Sequence, residues 1–410
     1  MNGRIEPRTL KGFRDTMPAS AAARNRMFRV IEGVFESFGY VPIDTPALEY
    51  AEVLKGKGGE ESDKQMFEFD DPGGRRVALR FDLTVPLARF VAQHQNELPI
   101  PFRRYHIGPV WRGERPQKGR YRELYQCDAD LVGSVGPAAD AEILAMFAGV
   151  YAALGVDDYV VRMNDRRTLN GFLESLGLAD RAVPVLRALD KWDKIGAEGV
   201  RAELLAAGVP AEPAGRVLAG TRQVLDLLRA AGVPGDRVRV DPTIARGLDY
   251  YTGVVFEVGL ASAPDFGSVG AGGRYDDLAS LYTSQRLPGV GCSVGISRLI
   301  EALDEKGKLD GGGDRRTVLV THPEQGDALG AFALAAAVRR LGFSVETYPE
   351  PRKHAAQMKY ADKKGLRFAL TLDPDGHVHG KDLGSGEIFE AADAASAAKA
   401  LAARATAPRA

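Results

Sequence analysis

Cysteine is scarce in this chain of 410 residues, which contains only Cys127 and Cys292. Neither cysteine has the paired spacing of a zinc site, and two residues cannot form the disulfide framework of small secreted domains. The six histidines add no metal-binding pattern, because no two of them are four residues apart. These absences predict a reduced, cytoplasmic protein without a metal site built from protein ligands alone.

Long apolar runs are also missing, so the sequence offers no candidate transmembrane helix. The N-terminal segment MNGRIEPRTLKGFRD lacks the apolar core of a signal peptide. Lysine and arginine (54) almost balance aspartate and glutamate (55), which gives a formal net charge of −1. We therefore expect no membrane association, and any contact with a polyanion has to be confined to a local basic surface.

The chain is longer than one ordinary domain, and its 45% hydrophobic content is enough for more than one packed core. Short apolar segments separated by turn signals predict a mainly antiparallel sheet with flanking helices, interrupted by an alanine- and leucine-rich segment. A glycine-rich stretch near the end precedes a βαβαβ pattern. The predicted parts are the two halves of an α+β domain (1–166 and 236–305), a helical insertion (167–235), a linker (306–316) and a C-terminal α/β domain (317–410).

Four elements of the first half are predicted from residue patterns. Residues 20–39 carry apolar side chains on one helical face and end at Gly39. The prolines of YVPIDTPALEY favour an extended edge strand, which fits a subunit interface and a plain surface edge equally well. RYHIGPVWR and ELYQCDADLVG predict the strands of a hairpin joined by the loop RPQKGR. Residues 139–154 are apolar almost all round, which predicts a largely buried helix.

Three acidic residues, Asp82, Asp128 and Asp130, lie within or beside segments that should otherwise be apolar strands. A buried unpaired carboxylate is expensive, so each of them needs a partner if it points inward. Ion pairing with neighbouring arginines is one explanation. The other is a cleft in which these acids, together with Arg112 and Arg246, bind a zwitterion.

The arginine-rich segment 103–123 interleaves tyrosine and tryptophan with basic residues, which suits phosphate contacts and base stacking. A solvated charged hairpin is the commoner use of such a pattern. On a strand that enters a polar loop, however, Arg112 and Glu114 point to the same face. A guanidinium group and a carboxylate are then presented side by side.

Glycine is concentrated in GSVGAGGRYD and PGVGCSVGISR, where it permits close approach of the backbone to a ligand. Neither segment is a P-loop or a dinucleotide fingerprint, and no nucleophile elbow supports Ser-His-Asp chemistry. Arg298, one turn into the helix predicted after the second segment, is positioned to bind a phosphate chain. We expect chemistry based on guanidinium groups, with magnesium held by acids and phosphate.

As a set, these motifs resemble those of the histidyl-tRNA synthetases, a family of class II aminoacyl-tRNA synthetases. The resemblance covers nearly the whole chain: KGFRD, GYVPIDTPALE as motif 1, VWRGERPQKGRYRELYQCDADL as motif 2, ARGLDYYTGVVFE and GAGGRYDDL as histidine signatures, and GVGCSVGISRL as motif 3. It implies an α+β fold with a six-stranded antiparallel catalytic sheet flanked by helices, a helical insertion and a C-terminal α/β anticodon-binding domain.

The same resemblance implies roles for individual residues. Arg112 and Arg246 would act at the reacting phosphate, while Glu114 and Arg298, with Arg112, would bind ATP, together with Mg²⁺. The histidine pocket would contain Asp82, Leu83, Thr84, Arg112, Gln126, Asp130, Arg246, Tyr250 and Tyr251. Of these, Asp82, Thr84 and Gln126 match positions that bind the ammonium group, and Asp130 and Tyr251 match positions that bind the imidazole nitrogens. The segment RFDLTVP departs from the Arg-Pro-Glu-Gly-Thr string of many bacterial members and resembles the eukaryotic type.

The implied substrates are L-histidine, ATP and the tRNA for histidine, and motif 1 implies a homodimer. The acceptor end of the tRNA would contact Arg115, Gln117, Lys118 and Arg120. Two other classes remain as alternatives: a non-catalytic regulatory subunit of ATP phosphoribosyltransferase, and another class II synthetase or RNA-binding module. The regulatory paralogues commonly lack the C-terminal domain and the catalytic signatures, both of which this sequence has, so we expect a ligase.

Overall fold

The computed structural model describes residues 5–55, 63–116, 121–165, 202, 226–241, 244, 250–307, 316–325 and 328–405. The chain divides into two compact units, Met1–Leu309 and Asp310–Ala410. The division falls within the segment 306–316, of which 308–315 lie outside the described residues. The insertion predicted at 167–235 also lies outside them, apart from residues 202 and 226–235. None of the helices in the described ranges is long and apolar enough to cross a bilayer.

The first unit is built on a large sheet in which six long strands are antiparallel. Two short strands join its edges in parallel, one of them at the proline-rich segment predicted to be an edge. In spatial order the strands are β1 (Val41–Pro42), β5 (Phe102–Trp111), β6 (Glu123–Val132), β11 (Gly289–Val294), β10 (Gly270–Tyr275), β9 (Val254–Leu260), β7 (Tyr159–Asp165) and β8 (Val238–Val240). The expected antiparallel sheet is confirmed, and the two parallel edge strands extend it.

Three helices cover one face of this sheet, and together they bury a single large core. They are α1 (Pro18–Ser37), α4 (Pro137–Ala153) and α5 (Ile296–Glu305). The buried side chains of α1 recur every fourth residue from Ala23 to Phe35, which is the spacing of one helical stripe. Gly39 follows this helix with φ +80, a backbone angle that favours glycine, so the predicted stop is confirmed. The α4 helix is buried on nearly all sides, as its composition predicted.

A fully buried ion pair fixes α4 to the sheet. Arg274 of β10 emerges on the helix-covered face and donates from Nε to Asp140 Oδ1 at 2.8 Å. Its Nη1 also donates to the Ser134 carbonyl at 2.7 Å. Because both side chains are out of water, removal of one partner would leave a buried charge without its main counter-charge, at a cost of about 3–5 kcal/mol.

A small antiparallel sheet and two helices complete the first unit. The strands are β2 (Leu48–Tyr50), β4 (Arg76–Leu79) and β3 (Glu68–Asp70), and the helices are α2 (Ala51–Leu54) and α3 (Thr84–His94). The Arg80 side chain, buried just after β4, donates to the carbonyls of Pro109 and Thr45 at 2.9 and 2.7 Å. These bonds tie the small sheet to the end of β5.

The second unit has the βαβαβ order expected from the sequence, with β12 (Thr317–Val320), α6 (Leu329–Arg339), β13 (Ser344–Thr347), α7 (His354–Lys364) and β14 (Phe368–Leu372). The strands β13, β12 and β14 are parallel neighbours. Two further antiparallel strands, β15 (Val378–Asp382) and β16 (Ile388–Ala391), extend the sheet, and the alanine-rich α8 (Ala394–Ala405) packs into its core. These two strands were not predicted, because glycines and charges interrupt their apolar residues.

Candidate active site on the polar face of the sheet

The face of the large sheet opposite the helices carries polar side chains, and we call it the polar face. Strand alternation produces it, because every second residue of β5, β6 and β11 points away from the core. Across the β5–β6 hairpin, Arg104 lies opposite Asp130 and His106 opposite Asp128. Between β6 and β11, Ser293 lies opposite Asp128. The intervening residues, such as Cys127 and Ala129, belong to the apolar core.

Glycines form the floor beside these polar groups. Gly291 of β11 lies opposite Asp130, and Gly273 of β10 lies opposite Gly291. A Cβ atom on Gly291 would come within 1.9 Å of Asp130 Oδ1, and one on Gly273 would come within 2.8 Å of the Tyr251 ring. The absence of side chains at these two positions therefore lets a carboxylate and a phenol pack directly on the backbone, above adjacent strands.

Asp130 is held by two buried partners. Tyr275 donates its hydroxyl hydrogen to Asp130 Oδ1 at 2.6 Å, and Arg104 Nη2 lies 2.6 Å from Oδ2. Both Asp130 and Arg104 are buried. Burial raises the pKa of Asp130, while the charge of Arg104 and the hydrogen bond from Tyr275 oppose that rise. Ion pairing with a neighbouring arginine, one of the two explanations given for the buried acids, therefore applies to Asp130. The partner is Arg104.

Asp128 lies next along the strand and is more weakly compensated. Burial raises its pKa to about 7, Arg104 opposes the rise, and the negative charge of Asp130 adds to it. The facing His106 is also buried, and burial together with the charges of Arg104 and Arg80 lowers its pKa to about 3. His106 is therefore neutral near pH 7 and supplies no charge to balance Asp128.

Asp82 lies at the turn that begins α3. Its Oδ1 accepts hydrogen bonds from the backbone N–H groups of Thr84 and Val85 at 3.1 and 2.9 Å. Burial raises the pKa of Asp82, and these bonds and the charge of Arg112 oppose the rise. The adjacent Leu83 is fully buried, and its carbonyl accepts a bond from Arg104 Nη2 at 3.3 Å. The α3 turn is thus connected to the same arginine that pairs with Asp130.

Two adjacent tyrosines contribute aromatic walls to this region. The rings of Tyr250 and Tyr251 are edge to face with centroids 5.0 Å apart, and Tyr250 makes a similar contact with Tyr275 at 6.0 Å. Burial raises the pKa of Tyr251, and the next largest cause is the charge of Asp130. A side-chain hydrogen bond also joins Tyr250 to Thr84. Acids, phenols and the α3 turn therefore lie together in one region of the polar face.

Arg112 follows β5 at the base of the motif 2 hairpin. Its guanidinium donates from Nε to the Phe81 carbonyl at 3.1 Å and stacks over the Phe81 ring at 4.6 Å. The Arg112 N–H donates to the Arg122 carbonyl at 2.9 Å, which closes the hairpin base. Glu114 is half-buried and Arg115 is exposed, whereas Gln117, Lys118 and Arg120 lie outside the described residues.

Two other arginines were predicted for the site. Arg246 lies outside the described residues. Arg298, on the first turn of α5, donates from Nη1 to the Ser268 carbonyl at 2.8 Å. The structure thus brings Asp82, Leu83, Thr84, Arg112, Gln126, Asp130, Tyr250 and Tyr251 to one region around the polar face and locates Arg298 at the end of β11.

Residue patterns alone missed four groups of the polar face: Arg104, His106, Tyr275 and Ser293. Two signals were available for them. Arg104 and His106 share the strand parity of Arg112, and the hairpin register sets them opposite the two aspartates. Ser293 and Tyr275 alternate with core residues along β11 and β10, so strand alternation sets them on the polar face.

The six antiparallel strands and their flanking helices form the fold of a class II aminoacyl-tRNA synthetase. The motif 2 hairpin and the motif 3 strand supply the polar groups on the open face of this sheet. A sequence profile of the family "Histidyl-tRNA synthetase" matches residues 12–204 and 164–299. A histidine–tRNA ligase of Rhodopirellula baltica is 47% identical over 89% of this chain and 90% of its own length. One of Wolinella succinogenes is 42% identical over 90% and 91%.

Solved structures give the same result. The crystal structure of histidyl-tRNA synthetase from Nostoc sp. PCC 7120 superposes with a TM-score of 0.86 at 32% identity, covering 98% of this chain and 100% of that one. The chain belongs to the histidyl-tRNA synthetase family.

Proposed function

We propose that this protein ligates L-histidine to its tRNA in two ATP-dependent steps, through a histidyl-adenylate intermediate. The observation that carries the proposal is the polar face, where buried carboxylates and phenols pack on a glycine floor near Arg112. Family membership supports the same reaction, since the relatives named above are histidine–tRNA ligases.

Recognition of the imidazole ring is assigned to Asp130 and Tyr251. They lie above adjacent glycine strands, so a small planar ring can contact both. Burial raises the pKa of the tyrosine hydroxyl, which therefore keeps its proton at neutral pH. A site that hydrogen-bonds both ring nitrogens rejects analogues without them, because its own buried polar groups would be left unpaired. Tyr250 and Leu83 form apolar walls of this pocket.

The ammonium group of histidine is assigned to Asp82, Thr84 and Gln126. Asp82 is buried, and its pKa is raised by that burial. The positive ammonium group would stabilise the ionised form of Asp82 and so lower this pKa again. This attraction favours binding of the ammonium group. Arg112 lies near enough to Asp82 to affect its pKa, so the substrate carboxylate would pair with this guanidinium while the ammonium group contacts the aspartate.

Adenylate formation is assigned to Arg112 and Arg246. Their guanidinium groups would stabilise negative charge as the histidine carboxylate attacks the α-phosphorus of ATP and pyrophosphate leaves. Arg298 would bind the distal phosphates, and Glu114 would help to fix the nucleotide. Within the described ranges no three metal-ligating side chains cluster. A magnesium ion would then be held by phosphate oxygens with Glu114 as the protein carboxylate, a common arrangement for Mg²⁺.

Transfer to tRNA is assigned to the motif 2 loop and the second unit. Arg115, Gln117, Lys118 and Arg120 would contact the acceptor end, mainly through phosphates. The α/β unit from residue 317 would bind the anticodon. The domain parts predicted from the sequence, with the insertion at 167–235 and the linker at 306–316, belong to this proposal.

We also propose that the protein is a cytoplasmic homodimer. Motif 1 provides two edge strands: β1 of the large sheet, where Val41 is exposed, and β2 of the small sheet, where Leu48 and Tyr50 are exposed. Such a strand edge is a suitable surface for a second copy. Both cysteines are buried free thiols, as a reducing compartment permits.

Histidine-dependent exchange of pyrophosphate into ATP tests the ligase proposal directly. The purified protein should incorporate labelled pyrophosphate with histidine and not with other amino acids. The alternative, a regulatory subunit of ATP phosphoribosyltransferase, predicts no exchange and stimulation of that transferase instead. That second outcome would overturn the proposed function.

A further inference from the structure

We propose that Ser293 and Asp128 are positioning residues for Gln126: they fix its side-chain amide so that the carbonyl oxygen faces the ammonium group of histidine. This inference rests on the proposed function and assigns a role to two groups of the polar face that have none so far. The inference concerns which end of the Gln126 amide faces the substrate. The carbonyl oxygen attracts the ammonium cation, whereas the NH₂ group repels it.

The first step is the contact between Gln126 and Ser293. Gln126 Nε2 donates to Ser293 Oγ at 2.8 Å across the β6–β11 pair. The hydroxyl oxygen accepts that bond and still has one hydrogen to donate. The amide nitrogen is therefore committed to the serine, and only the carbonyl end remains available to a ligand.

The second step is the destination of the serine hydrogen. Ser293 is the cross-strand neighbour of Asp128, and a side-chain hydrogen bond joins the two. Asp128 is ionised above its pKa and then acts only as an acceptor, so it receives the serine hydrogen. If that hydrogen were free, Ser293 could donate to the glutamine carbonyl, and the amide would turn its NH₂ group outward. The aspartate thus sets the direction of the hydrogen-bond chain.

The third step is the unmet demand at the end of the chain. Gln126 is 8% exposed, and its Oε1 accepts no hydrogen bond from any described residue. A buried acceptor left unpaired costs about 1–3 kcal/mol. Gly108 lies opposite Gln126 on β5 and provides no side-chain donor. A ligand donor is needed to satisfy this oxygen, and the substrate ammonium group near Asp82 supplies one.

Substitution of Ser293 tests the chain with a matched pair of variants. Ser293→Thr retains the hydroxyl group, while Ser293→Val has almost the same shape without it. In pyrophosphate exchange we expect Ser293→Val to raise the KM for histidine about tenfold, the effect of losing one hydrogen bond that orients a charged contact. The KM for ATP and the kcat should stay within about twofold. Ser293→Thr should behave like wild type.

A substrate analogue separates positioning from general loss of structure. Imidazolepropionate lacks the ammonium group, so its inhibition constant should be the same in wild type, Ser293→Thr and Ser293→Val. If Ser293→Val fails to fold, Ser293→Ala removes the same acceptor without added volume and should show the same shift. The inference is overturned if Thr and Val variants have equal KM values for histidine, or if both ligands weaken together. Absence of histidine-dependent exchange in the wild type would instead contradict the proposed function.

Discussion

Gly291→Ala should weaken histidine binding and lower the stability of the sheet through one displaced carboxylate. The added Cβ would lie 1.9 Å from Asp130 Oδ1 and 2.5 Å from its Cγ, so the carboxylate has to move by about 1 Å or more. Asp130 cannot move freely, because Tyr275 and Arg104 hold its two oxygens at 2.6 Å each. Loss of a hydrogen bond to a charged group costs about 1.5–3 kcal/mol.

We therefore expect the KM for histidine to rise about 100-fold, which corresponds to roughly 2.7 kcal/mol. The KM for ATP should change little, because Asp130 is assigned to the imidazole ring. The free energy of unfolding should fall by about 3 kcal/mol, since the fully buried Arg104 loses part of its counter-charge. Pyrophosphate exchange with titrated histidine measures the first effect, and thermal denaturation measures the second.

Gly259→Ala is the matched control. This glycine lies in β9 of the same sheet, and a Cβ there meets nothing within 4 Å. It should leave both measurements near wild type. If Gly291→Ala matches this control in KM and in melting temperature, the assignment of Asp130 to a tightly packed imidazole site is wrong.

Three further predictions concern other parts of the molecule. Because burial raises the pKa of Asp128 from 3.8 to about 7, the wild type loses stability as pH rises between these values. Asp128→Asn lacks this loss, so its stability relative to wild type should rise by about 4 kcal/mol between pH 4 and pH 8. Equal pH dependence of the two unfolding free energies would contradict this prediction. Arg246→Ala should abolish adenylate formation while circular dichroism stays unchanged, and normal exchange rates would exclude its catalytic role. A chain ending at residue 309 should retain exchange but aminoacylate tRNA poorly, and unchanged charging kinetics would count against an anticodon-binding second unit.

The backbone architecture was largely predictable because it follows from periodicity. The buried stripe of α1, the all-round apolar α4 and the β5–β6 hairpin each follow a local pattern that burial enforces. The open face was less predictable, since a side chain there is selected by contacts across strands. Asp130 was identified from its sequence, yet its partners Arg104 and Tyr275 are 26 and 145 residues away in the chain.

The glycine-rich segments show the same limit. Their glycines indicated close packing of something on the backbone, but the sequence alone suggested a ligand. In the structure the side chains closest to Gly291 and Gly273 are those of Asp130 and Tyr251, so the glycines accommodate the protein's own recognition groups. The strand register, which is a property of the whole sheet, connects Gly273, Gly291 and Asp130.

Successive residues of β11 point alternately to the apolar core and to the polar face, so one strand serves both. Cys292 and Val294 face the helices, while Gly291 and Ser293 face the opposite side. A shift of this strand by a single residue would place the Ser293 hydroxyl in the apolar core. It would also turn the Cys292 thiol and the Val294 side chain toward the polar face. Mispairing of this strand would therefore disrupt the packed core and the polar face together.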